Sequence, residues 1–119
     1  MNHQKLYRDI MDLDPKIRMV TICGENGSII FSDHRPGVVN LLSEEESKKS
    51  LEMAVRAWNS RKSIFPKIGK GKYVLAEYEK LKRITMPIGD IYLVYVTTEI
   101  EADHSKIIEG ISKLGKSIQ

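Results

Sequence analysis

Hydrophobic residues change their spacing several times along this chain, and each change marks an element. Leu6, Tyr7, Ile10 and Leu13 fall at i, i+1, i+4 and i+7, one face of a helix. Asp14-Pro15 ends it, because a residue before proline avoids helical backbone angles. Ile17 to Cys23 is rich in β-formers and apolar at nearly every position, which predicts an inner strand covered on both faces. The Asn26-Gly27 pair within Glu25–Ser28 suits the positive φ of a tight hairpin turn, and Ile29 to Ser32 returns as a second strand. Asp33 to Asn40, with Pro36 and Gly37, reads as a loop.

Ser43-Glu44-Glu45-Glu46 then opens a helix. The Ser43 hydroxyl can accept from the Glu46 N–H while the Glu46 carboxylate reaches back, and three carboxylates suit the positive end of the helix dipole. Leu51, Ala54, Val55 and Trp58 mark its apolar stripe, and the pattern extends to about Lys62. Phe65-Pro66 and Gly69-Lys70-Gly71 interrupt it and predict a flexible basic connector. Tyr73 to Tyr78 and Leu81 to Met86 follow as strands joined near Glu79-Lys80. Gly89-Asp90 makes a hairpin turn, and Ile91 to Thr98, the most hydrophobic strand, is expected at the sheet centre. Ile107, Ile108, Ile111, Leu114 and Ile118 repeat with helical spacing behind an Asp103 cap. The order is α-β-β-α-β-β-β-α, a small α+β domain spanning residues 1–119, with an antiparallel sheet between helical coverings.

Composition adds bounds. A chain of 119 residues with 41% hydrophobic and 29% charged positions is an ordinary globular protein. At this size folding buries roughly two thirds of the unfolded surface, enough for a core without metal or disulfide support. The single cysteine, Cys23, has no internal disulfide partner and sits in an apolar run, as a small core residue would. Met1 to Arg8 lacks a signal-peptide core, and no apolar run approaches the ~20 residues that span a bilayer, so a cytoplasmic location is expected. The charge is uneven. Arg56 to Arg83 holds nine basic and two acidic residues, a net +7, while the remainder holds ten basic and fourteen acidic, a net −4. Such asymmetry speaks to partners.

The candidate basic set is Arg56, Arg61, Lys62, Lys67, Lys70, Lys72, Lys82 and Arg83. An anionic partner or nucleic acid is one reading of it, with Trp58, Phe65, Tyr73 and Tyr78 nearby as stacking platforms; a solvated surface is the other. No RNA- or DNA-binding motif is present. Gly69-Lys70-Gly71-Lys72 departs from a phosphate-binding P-loop, because a helix precedes it, a strand follows it, and Tyr73 replaces the metal-binding hydroxyl. A looser anion site or a plain charged turn remain as its readings. His3, His34 and His104 have no Cys or His at ligand spacing. Asp12 and Asp14 resemble no calcium loop, and Ser32 and Cys23 sit in no nucleophile motif. Asp33-His34 and Asp103-His104 could each pair a carboxylate with an imidazole, but adjacent strand residues point to opposite faces and Asp103 is better explained as a helix cap. The expectation is a protein without catalytic residues, metal or cofactor.

The element order, the Glu25-Asn26-Gly27 hairpin, the long middle helix and the Gly89-Asp90 hairpin together resemble the roadblock / dynein light chain family of profilin-like folds, from Gln4 to Gln119. The basic segment Trp58 to Arg83, with Gly69-Lys70-Gly71-Lys72-Tyr73, also looks like that of an uncharacterised archaeal group of small roadblock-like proteins. The resemblance implies a five-stranded antiparallel sheet of order 2-1-5-4-3, with helices on both faces. It implies a homodimer or heterodimer in which the middle helix, Ser43–Lys62, and the third strand, Lys72–Tyr78, meet across the axis. Leu51, Val55, Trp58, Tyr73 and Tyr78 would then be dimer contacts, and Lys72 a guard charge on the strand edge. It further implies a non-enzymatic scaffold or regulator of a small GTPase or motor complex. The alternative is anion or nucleic-acid binding through the Arg56–Arg83 segment.

Overall fold

The computed structural model describes residues 2–117. Its elements are α1 (His3–Met11), β1 (Ile17–Gly24), β2 (Ile29–His34), α2 (Glu44–Arg61), a 3-10 turn (Lys62–Ile64), α3 (Phe65–Ile68), β3 (Val74–Glu77), β4 (Leu81–Ile88), β5 (Tyr92–Glu99) and α4 (His104–Ser117). All strand pairs are antiparallel, in the order β2-β1-β5-β4-β3, with β5 at the centre. Ile118, the last member of the C-terminal apolar repeat, lies outside the described residues.

Strand alternation sorts the side chains onto two faces. Val20, Ile22, Ile84, Met86, Ile88, Val94 and Val96 point to one face. There they bury against Leu6, Tyr7 and Ile10 of α1 and Ile107 and Ile111 of α4. Cys23, Leu93 and Tyr95 point to the other face and meet Leu51, Val55 and Trp58 of α2. Two helices therefore cover one face and a single helix covers the other.

Local chemistry explains the joints. Asp103 Oδ1 accepts from the Lys106 N–H at 3.2 Å, capping α4. In the β1–β2 turn only Gly27 has positive φ, 87°, and the Asn26 side chain ties down the Ser28 N–H at 3.0 Å. A Cβ on Gly27 would lie 3.1 Å from Val55 Cγ1, so the hairpin tip presses against α2. Arg35 closes the opposite end of the sheet, donating to the carbonyls of Ile17, Met11 and Asp14 at 2.8–2.9 Å.

Three expectations change. β2 continues through Asp33 and His34, which pair with Val20 and Met19 where a loop was expected. β2 is an edge strand with little burial, so no hydrophobic alternation announces its last residues. Asp33 and His34 form no side-chain pair; Asp33 Oδ1 accepts from the His34 backbone N–H at 2.8 Å. β4 runs past Met86 to Ile88 and includes Pro87. Proline is tolerated there because β3 pairs only as far as Thr85, so no neighbour needs the missing N–H. The expected flexible connector is helical from Lys62 to Ile68. Pro66 lies in the first turn of α3, where no intrahelical N–H is required, and Gly69 at φ 94° ends it.

Candidate partner interface

The helix that forms this surface begins with its own chemistry. Ser43 Oγ accepts from the Glu46 N–H at 3.1 Å, and Glu46 Oε1 accepts from the Ser43 N–H at 2.9 Å. The Ser43 backbone N–H on its carboxylate favours the charged form and holds the Glu46 pKa below its ordinary value. From this start α2 lays Leu51, Val55 and Trp58 onto the sheet. One helix is too narrow for five strands, so sheet stays open on both flanks of α2.

On the β3 flank, Met53, Ala57 and Arg61 of α2 face Val74, Ala76, Tyr78 and Arg83 across a groove of about 230 Å³. Met53 is 67% exposed and Tyr78 52%, and Tyr73 beside β3 is 49% exposed. The Arg83 guanidinium lies over the Tyr78 ring at 5.2 Å and the Tyr95 ring at 5.7 Å. The Tyr95 hydroxyl meets Ser50 Oγ at 3.1 Å. Burial raises the Tyr95 pKa, while the Ser50 hydrogen bond and the Arg83 charge partly offset it.

β3 is also the sheet edge. Tyr78 donates its N–H to Leu81 O at 2.8 Å, which sets the phase of the ladder. Backbone bonding alternates along an antiparallel pair, so Val74 and Ala76 bond β4 while Leu75 and Glu77 turn their N–H and C=O outward. An open edge of this kind is one to which another strand can add.

Two groups of the expected site residues are placed elsewhere. Leu51, Val55 and Trp58 are 7%, 6% and 5% exposed within the single chain, so they form part of its own core. The stripe faces the sheet because Cys23, Leu93 and Tyr95 offer it an apolar floor. Lys82 is 7% exposed and leaves the basic set. Strand parity points it to the α4 face, where Nζ donates to Ala102 O at 2.9 Å and meets His104 Nδ1 at 3.0 Å.

The other cations are exposed or half-buried but do not share one location. Arg61 and Arg83 flank the α2–β3 groove. Lys62 and Lys70 line a second hollow near the β4–β5 turn, where Lys70 lies 3.6 Å from Asp90. Arg56 lies beside the β1–β2 hairpin, and Lys67 and Lys72 are exposed on the connector. The nucleic-acid reading loses its main platform, since Trp58 is buried edge-to-face with Phe65 at 6.3 Å and both rings roof Gly71. Met53 is silent in the sequence, because one apolar residue off a helix stripe carries no signal until the fold shows what lies beside it. Among the described residues, no three His, Cys, Asp or Glu side chains gather as a metal site would require, and no helix is long and apolar enough to cross a membrane.

A 2-1-5-4-3 antiparallel sheet, with two helices on one face and one on the other, defines a profilin-like α+β protein. More narrowly, the chain has the roadblock fold. It superposes on a Roadblock/LC7 domain from Streptomyces avermitilis with a TM-score of 0.74 at 14% identity, covering 96% of this chain and 92% of that one. The gliding protein MglB from Thermus thermophilus gives a TM-score of 0.77 at 7% identity, over 97% and 84% of the two chains. Acanthamoeba castellanii profilin IA gives 0.65 at 10% identity, over 98% and 96%. No family model matches the sequence, and no curated protein matches it.

Proposed function

We propose that this chain is a homodimeric interaction module that regulates a small GTPase by contact, without chemistry of its own. The observation that carries the reading is the open β3 edge beside the exposed Met53, Tyr73 and Tyr78. Two copies meeting there satisfy the outward backbone groups of Leu75 and Glu77, continue the sheet across the axis, and cover the apolar groove. The roadblock fold supports the same arrangement, and one of its structural neighbours is described as MglB in a tetrameric arrangement. Pairing places the two α2 helices side by side, a broad helical platform on which a globular partner can rest.

The test is to incubate the purified protein with a panel of GTP-loaded small GTPases and to measure both hydrolysis and nucleotide-dependent retention. Acceleration or retention by at least one GTPase is expected. Silence in both assays across the panel removes the regulatory reading and leaves only the dimer.

A further inference from the structure

The second open flank of α2, toward β2, holds a cavity of about 320 Å³ between the first turns of the helix and the sheet. Its size lies at the lower end of small-molecule sites. The walls are mainly apolar: Met19, Ile29, Leu41, Leu42, Leu51 and Leu81. The floor is not. The buried Thr21 and Thr97 face the same space, and Thr21 Oγ1 is bonded to Ser32 Oγ at 2.7 Å. Arg83 lines both this cavity and the α2–β3 groove, so it stands where the two meet.

Arg83 differs from the other half-buried arginines. Arg18 is committed to Glu99 at 2.7 Å and to Val39 O at 2.6 Å. Arg35 is committed to three carbonyls. Arg83 has only the faces of Tyr78 and Tyr95, and among the described residues no carboxylate lies within ion-pair distance of it. Stacking holds a guanidinium by its plane and leaves its N–H fork free to take two oxygens at once. Lys48 adds positive charge and Glu44 negative charge to the lining, both from the exposed first turns of α2.

We propose that this cavity binds a small amphipathic carboxylate, with its apolar body under α2 and its carboxylate on the Arg83 fork. The cavity lies within one chain and its reading does not depend on a GTPase, although Arg83 also borders the groove that the proposed dimer covers.

Decanoate is the probe, with decanol as its uncharged counterpart, titrated into isotopically labelled protein and followed by amide resonances and calorimetry. Decanoate is expected to shift the resonances of Thr21, Leu51 and Thr97 and to bind at least about tenfold more tightly than decanol, the scale of a charge-assisted hydrogen bond. Arg83→Gln should bring decanoate down to the affinity of decanol. Ser47→Leu, which puts a larger side chain into the roof without touching Arg83, should abolish binding of both while the circular dichroism spectrum stays unchanged. Equal affinity for the two probes, unaltered decanoate binding in Arg83→Gln, or shifts confined to other surfaces would each overturn the proposal.

Discussion

Replacing Trp58 with alanine probes the α2 layer at its anchor. The indole is 5% exposed, packs edge-to-face on Phe65 at a centroid distance of 6.3 Å, and lies against Gly71, where an added Cβ would come within 3.1 Å of the ring. A buried tryptophan removes about 150–250 Å² from water, worth about 4–6 kcal/mol at ~25 cal/mol per Å² as an upper bound. Partial collapse of the space left behind brings the expected loss to about 3–5 kcal/mol, or roughly 10–20 °C in Tm for a domain of this size. The assay is urea unfolding at two protein concentrations tenfold apart. Because Trp58 serves its own chain, the variant should lose this stability at both concentrations. It should also keep whatever concentration dependence the parent shows. A loss below about 1 kcal/mol would refute the core placement. Loss of the concentration dependence alone would return Trp58 to a contact between chains.

Three further perturbations test other joints. Ser43→Ala removes the 3.1 Å cap on the Glu46 N–H and should cost about 1 kcal/mol in urea unfolding; an unchanged midpoint would show that the capping box contributes nothing. Gly27→Ala forces a side chain into a backbone at φ 87° and within 3.1 Å of Val55, so it should cost at least about 1–2 kcal/mol; neutrality would contradict the close approach of hairpin and helix. Burial pushes the Cys23 thiol up to about 11 from an ordinary value of 9.0. Above pH 9 the unfolded chain gives up this proton first, so stability should fall by about 3 kcal/mol as pH rises from 9 through 11. Cys23→Ala should flatten that part of the pH curve, and an identical slope in parent and variant would show that the thiol is not buried when folded.

How much of this could be read from the chain alone depends on where each residue sits. α1, β1, β5 and α4 announce themselves because each buries a clear face, and their periodicity is the physical trace of that burial. The end of β2 is silent, since Asp33 and His34 are held by backbone pairing on a solvated edge. Pro66 and Gly69 suggested a break, although proline in a first turn and glycine after a last one are compatible with the short helix between them. The stripe of Leu51, Val55 and Trp58 was visible, but a stripe does not say whether its cover belongs to its own chain or to another. Lys82 looks like a surface charge in the sequence because its acceptors, Ala102 O and His104 Nδ1, lie about twenty residues away and no local pattern points to them. The cavity beneath α2 leaves no trace in the sequence for a related reason. It arises from a mismatch in width between one helix and a sheet, which no single segment encodes.

In the proposed homodimer the β3 edge and the outer face of α2 are the contact between two copies. Sedimentation equilibrium should then give twice the 13.6 kDa chain mass, with Glu77→Pro, which removes an outward N–H and leaves the β4 ladder intact, reverting to 13.6 kDa while remaining folded. A parent protein that sediments at the mass of one chain at every concentration, or a Glu77→Pro variant that stays at twice that mass, would contradict it.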